Sequence, residues 1–190
     1  GDQSRLMAEL WETPAFQAVH QVFHVNGICI AGTSAGAAVM SRQMIAQGQA
    51  PIITEKDVVS FDIGLGLVTM AIIDQHFSQR RRLTRLLSAL AQRPDLLGVG
   101  IDENTGLIIT VNESIEVIGD GSVTILDGRE MISNYDDIAA QEKLELLGIK
   151  MHLLPSGTRY DLTISQKYDQ RFTSLLDAVK HLTLPGPARI

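Results

Sequence analysis

The sequence predicts an α/β protein with parallel strands at the centre of its sheet, and three observations point there. Short apolar runs at residues 25–31, 67–73 and 97–101 have the length and continuity of buried strands. Segments of helical character at residues 37–45 and 79–92 separate them, and strand-helix alternation is the pattern of a parallel sheet. Polar residues follow each run directly: Ser34 after the first, Asp74-Gln75-His76 after the second, Asp102-Glu103-Asn104 after the third. Catalytic groups in such sheets gather at the carboxyl ends of strands.

Each element follows from local pattern. Residues 3–24 carry Leu6, Leu10, Phe16 and Val19 at helical spacing, with Thr13-Pro14 as an internal break. The run 25–31 is a buried strand, and Cys29 within it reads as a small core residue. Residues 32–36 form a tight turn, and residues 47–62, with Gly48 and Pro51, read as loop. Leu83, Leu86, Leu87 and Leu90 mark one face of the helix at 79–92, and Pro94 follows its end. Residues 107–111, 116–118 and 123–126 are strand candidates, the last two joined by the hairpin turn Gly119-Asp120-Gly121-Ser122. A polar stretch at 133–143 precedes a strand at 149–154 and a closing helix at 171–181. Without repeats, low-complexity segments or a linker, residues 1–190 read as a single α/β domain.

Composition narrows the function classes. The chain is 45% hydrophobic and 20% charged, as in ordinary globular proteins. No stretch is apolar enough for a membrane span. A net charge of −6 argues against nucleic-acid binding. The single cysteine, Cys29, forms no internal disulfide, so a cytoplasmic location is expected. His20 and His24 are four apart on a helix, a spacing that suits a metal, but no carboxylate or cysteine cluster supports one. No metal or cofactor is expected.

Ser34 is the candidate nucleophile. It sits in Gly32-Thr33-Ser34-Ala35-Gly36, between a strand and a helix. A sharp strand-to-helix turn exposes the serine hydroxyl and admits only small neighbours. The following amides then lie at a helix start, where they can hold an oxyanion, and Ala35 N–H is the natural first donor. The candidate base is His76, at a strand end beside polar groups. Glu103, also just past a strand, is the candidate orienting carboxylate, with Asp102 and Asp74 as rivals. An α/β-hydrolase order would instead place the acid before the histidine and make His152 or His181 the base. Arg80, Arg81, Arg82 and Arg85 open the next helix, where they could pair a carboxylate-bearing substrate or form a solvated face.

These residues resemble a known family. Gly1-Asp2-Gln3, Gly32-Thr33-Ser34-Ala35-Gly36-Ala37, Asp74-Gln75-His76-Phe77 with Arg80, Arg82 and Arg85, and Ile101-Asp102-Glu103-Asn104-Thr105 are similar, in order, to the motifs of cyanophycinases, which belong with the peptidase E-like serine peptidases. The resemblance spans about residues 1–130. It implies a flavodoxin-like three-layer sandwich with a mostly parallel central sheet, commonly dimeric. It implies hydrolysis of cyanophycin, a polyaspartate with arginine on each side-chain carboxyl, to β-Asp-Arg dipeptides. It further implies a Ser34-His76-Glu103 triad, a second oxyanion amide near Gly1, and a substrate pocket of Gln3, Asp74, Arg80, Arg82, Arg85 and Asn104. The family carries core strands before the Gly-Asp-Gln motif. The domain is therefore expected to be incomplete at its N-terminus, with those strands on a removed segment or a companion chain. A dipeptidase for aspartyl peptides and a non-catalytic fragment are the competing expectations.

Overall fold

The computed structural model describes residues 2–186. Helix α1 (Gln3–Leu10) begins where the Asp2 carboxylate accepts the Arg5 N–H at 3.0 Å. Thr13 caps α2 (Pro14–His24) by accepting the Phe16 N–H, and Pro14 sits in its first turn, where a missing N–H costs nothing. The predicted break at Thr13-Pro14 is thus a boundary between two helices. Then come α3 (Ala35–Ala38), a hairpin of β1 (Gln43–Gly48) and β2 (Val59–Ile63), β3 (Ala71–Gln75), α4 (Leu83–Gln92) and β4 (Leu97–Ile101). The second half holds β5 (Thr105–Thr110), β6 (Ser114–Gly119), β7 (Ser122–Asp127), β8 (Ile132–Ser133), β9 (Leu146–Leu147), β10 (Lys150–Pro155), β11 (Arg159–Asp161) and α5 (Thr173–Leu182).

The molecule is α/β with mixed sheets. The central sheet runs β10-β7-β4-β3. Only β3–β4 is parallel there; β4–β7 and β7–β10 are antiparallel. A second sheet, β11-β6-β5, is antiparallel throughout. Both faces of the central sheet are buried, and the pleat sorts its side chains. Ile72 and Leu126 face one way, packing with Leu86, Ala89 and Leu90 of α4 and with Ile45 and Val59 of the hairpin. Ala71, Ile73, Leu97, Val99, Val123 and Ile125 face the other, against Ile115 and Val117 of β6 and Ala178, Val179 and Leu182 of α5. A third cluster joins α1 and α2 to Val39, Met44, Leu65 and Leu67.

Glycine on β4 lets α4 and its preceding loop lie close. A Cβ on Gly100 would stand 2.4–2.6 Å from the Phe77 ring. Gly100→Ala is expected to destabilise by about 1–3 kcal/mol through overpacking, read by thermal melting.

Several expectations change. Residues 27–33 pair with no strand among the described residues, and Cys29 is exposed. An apolar run becomes a buried strand only when a neighbour supplies its hydrogen bonds. The helix expected at 37–45 ends at Ala38, and β1 and β2 occupy much of what read as helix end and loop. Gly119–Ser122 does not close a hairpin: β6 belongs to the second sheet and β7 to the first, so the turn passes the chain between layers. No described helix is long and apolar enough to cross a membrane.

Burial also sets a pH dependence. His152 and His181 are pushed below the usual histidine value, chiefly by desolvation, and Arg129 adds to this at His181. Below about pH 6.5 the unfolded chain therefore binds these protons more readily than the folded one. Their contribution to stability is full above that pH and is lost as pH falls. Tm is expected to drop between pH 7.5 and 5.5; a Tm that rises over that range contradicts this.

Candidate active site

Two loops that follow β3 and β4 converge on the turn that precedes α3. Ser34 Oγ lies 3.0 Å from His76 Nε2, and His76 Nδ1 lies 2.8 Å from Glu103 Oε1. Such a relay can transfer the serine proton to the imidazole while the carboxylate holds the ring and favours the Nδ1–H tautomer. Of the three candidate carboxylates, Glu103 is the one that contacts His76. Asp74 is turned elsewhere, and Asp102 accepts the N–H groups of Ser78 and Ser122.

The backbone around these groups is unusual. Ser34 has φ 53° and ψ −118°, His76 has φ 52° and Asn104 has φ 52°. Positive φ in non-glycine residues is uphill and concentrates at functional sites. The tightness of the serine turn explains its small residues. A Cβ on Gly32 would lie 2.1 Å from the Gly36 carbonyl oxygen. The amides of Gly36, Ala37 and Ala38 bond to Thr33 or Ser34 carbonyls within the turn. The Ala35 N–H has no acceptor among the described residues. Gly1, expected as a second oxyanion donor, lies outside the described residues.

A cavity of about 650 Å³ opens beside the serine. Its lining includes Ser34, Gln75, His76, Glu103 and Asn104 as well as the aliphatic Ile30, Ile73, Ile101, Leu107 and Ile109.

The residues expected in the substrate pocket divide. Asn104 lines the cavity, and Arg80 is exposed without an ion pair among the described residues. The other four do not line it. Asp74 is 1% exposed. Its Oδ1 accepts Arg82 Nη1 at 3.0 Å and also Arg85 Nη2; its Oδ2 accepts Arg85 Nε at 2.9 Å. Arg82 also donates to the Gln75 carbonyl, and Arg85 to that of Gly48. The physical reason is the pleat: Ile73 and Gln75 face the cavity, so Asp74 between them faces α4. Gln3 is likewise engaged, donating from Nε2 to the Ile45 carbonyl at 2.7 Å and so tying α1 to β1.

His152 sits on β10 with Ser174 Oγ 3.4 Å away, and His181 is on α5 with its Nε2 buried and without a partner among the described residues, so neither is the partner of Ser34. His20 and His24 stack at 5.5 Å, and no group of three or more potential ligands that could hold a metal occurs among the described residues. Sequence reading missed Gln79, whose Oε1 accepts the Glu103 N–H at 3.1 Å. It also missed Thr105, which donates to the Glu103 carbonyl and accepts the Gly121 N–H. Their only signal was acceptor side chains beside turns that leave amides free.

The family model of peptidase family S51 matches residues 1–118. The chain belongs to peptidase family S51. It is similar to the cyanophycinase of Geminocystis herdmanii (strain PCC 6308), 43% identical over 85% of this chain and 60% of that protein. The cyanophycinase of Synechococcus elongatus is 42% identical over 87% of this chain and 52% of its own length. That of Trichormus variabilis (strain ATCC 29413 / PCC 7937) is 41% identical over 85% and 55%. The chain thus spans about half to three-fifths of the length of these relatives.

Proposed function

We propose that this chain is the catalytic part of a serine exopeptidase that hydrolyses cyanophycin to β-Asp-Arg dipeptides. The Ser34-His76-Glu103 relay, in a chain similar to proteins named cyanophycinase, carries the reading. Ser34 Oγ attacks the peptide carbonyl as His76 Nε2 takes its proton, with Glu103 holding the imidazole through Nδ1–H. The tetrahedral oxyanion accepts from Ala35 N–H, and from an amide near Gly1. His76 returns the proton to the leaving amine. Water then attacks the acyl-enzyme by the same route, restoring the serine. Asn104 and Arg80 are the groups free to meet the substrate, whereas Gln3, Asp74, Arg82 and Arg85 belong to the scaffold beneath it.

The catalytic unit is proposed to include further strands beside β3, on a longer form of this chain or a companion. Those strands would complete the flavodoxin-like sandwich and its parallel centre. Two observations support this. Residues 27–33 pair with no strand among the described residues, with Ile28 54% exposed, and the cavity lining is mostly apolar. Such a lining suits packing side chains better than an arginine-bearing substrate.

The test is digestion of purified cyanophycin, with mass spectrometry of products and protein. Release of β-Asp-Arg is expected. An aspartyl dipeptide cleaved faster than the polymer would replace this reading with a dipeptidase.

A further inference from the structure

We propose that Gln79 and Asp102 are positioning residues that clasp the histidine loop to the glutamate loop and so hold the relay in register. The inference rests on the roles given above to Ser34, His76 and Glu103.

The two loops exchange side-chain acceptors. Asp102, on the glutamate loop, accepts the Ser78 N–H through Oδ1 at 3.0 Å. Gln79, on the histidine loop, accepts the Glu103 N–H through Oε1 at 3.1 Å. Each bond satisfies an amide two residues or fewer from a relay member. Asp102 reaches further, because its Oδ2 accepts the Ser122 N–H at 3.2 Å and ties both loops to the start of β7. The Phe77 N–H donates to the Ile101 carbonyl at 3.1 Å, completing the seam.

This seam answers a specific physical need. His76 and Asn104 both hold positive φ, so neither loop is at a local minimum of its own. The 2.8 Å contact between His76 and Glu103 joins side chains that are 24% and 48% exposed. Packing alone does not fix such side chains, and orientation then depends on the backbone that carries them. Burial acts to raise the Asp102 carboxyl, but hydrogen bonds from Ser78 and Ser122 outweigh it and hold it below the usual value. Asp102 is therefore a carboxylate with both oxygens available as acceptors.

The test uses Gln79, which is exposed and outside the hydrophobic core. Gln79→Met keeps the length and removes the acceptor; Gln79→Glu restores an acceptor. Nitrogen-15 NMR of His76 reads the balance of Nδ1–H and Nε2–H tautomers without any substrate, and cyanophycin turnover is measured in parallel. Gln79→Met is expected to reduce the Nδ1–H fraction and lower kcat roughly tenfold with KM within about twofold, as misplacement of a catalytic group does. Gln79→Glu is expected to recover both to within about twofold. Wild-type tautomer balance and kcat in Gln79→Met overturn the proposal. So does a Gln79→Glu variant as impaired as Gln79→Met at unchanged Tm. If wild-type protein leaves cyanophycin intact while the tautomer shift occurs as expected, the functional reading fails and the clasp stands.

Discussion

Ser34→Ala is expected to lower kcat for cyanophycin hydrolysis by several orders of magnitude while leaving Tm nearly unchanged. In the proposed mechanism the hydroxyl is the nucleophile, and its loss would leave His76 and Glu103 with nothing to activate. In serine peptidases, removing the nucleophile alone costs about as much as removing the whole triad, on the order of a millionfold in kcat. His76→Ala should therefore match Ser34→Ala, and the double variant should be no worse than either. Additive losses would mean that the two act in separate steps. Alanine at position 34 must still adopt φ 53° and ψ −118°, so any change in Tm is expected to be a small fall.

Asp74→Ala should have the largest effect on stability. It leaves the guanidinium groups of Arg82 and Arg85 facing each other without their shared carboxylate, in a site where Asp74 and Arg85 are 1% and 7% exposed. Removing one partner from a buried pair costs about 3–5 kcal/mol. For a chain of this size that is on the order of 10 °C in Tm. The same variant separates two roles for Asp74. A scaffold role predicts a large drop in Tm; a substrate contact predicts a raised KM at unchanged Tm. Because Arg82 also holds the Gln75 carbonyl, unfolding of this network would also disturb the strand end that carries His76.

The relay was legible in the sequence because each member closely follows an apolar run, and the runs before His76 and Glu103 end the strands β3 and β4. β4 is the plainest case: Leu97–Ile101 is a continuous buried segment, and it forms where expected. The neighbours of the relay were harder. Asp74 stands only two residues before His76, yet the two-residue period of a strand turns it to the opposite face from Gln75. Applied to β3, that period would have assigned Asp74 to the α4 side, with Arg82 just before that helix and Arg85 on it. The β1–β2 hairpin escaped for a different reason. Its register shifts between Ile45 and Gln47, which breaks the alternation that marks a strand. The run at 25–31 carries a buried strand's composition but meets no partner strand among the described residues. Composition specifies that a surface must be covered, not what covers it. The clasp formed by Gln79 and Asp102 had no pattern at all, since its partners are 24 residues apart and meet only when β3 and β4 pair.

The most direct test of the account is covalent labelling of the protein with diisopropyl fluorophosphate, followed by mass spectrometry of the intact chain and its peptides. The account predicts one adduct, on Ser34, and its loss in His76→Ala. An adduct on another serine, or no adduct on Ser34 in a preparation that cleaves cyanophycin, would contradict it.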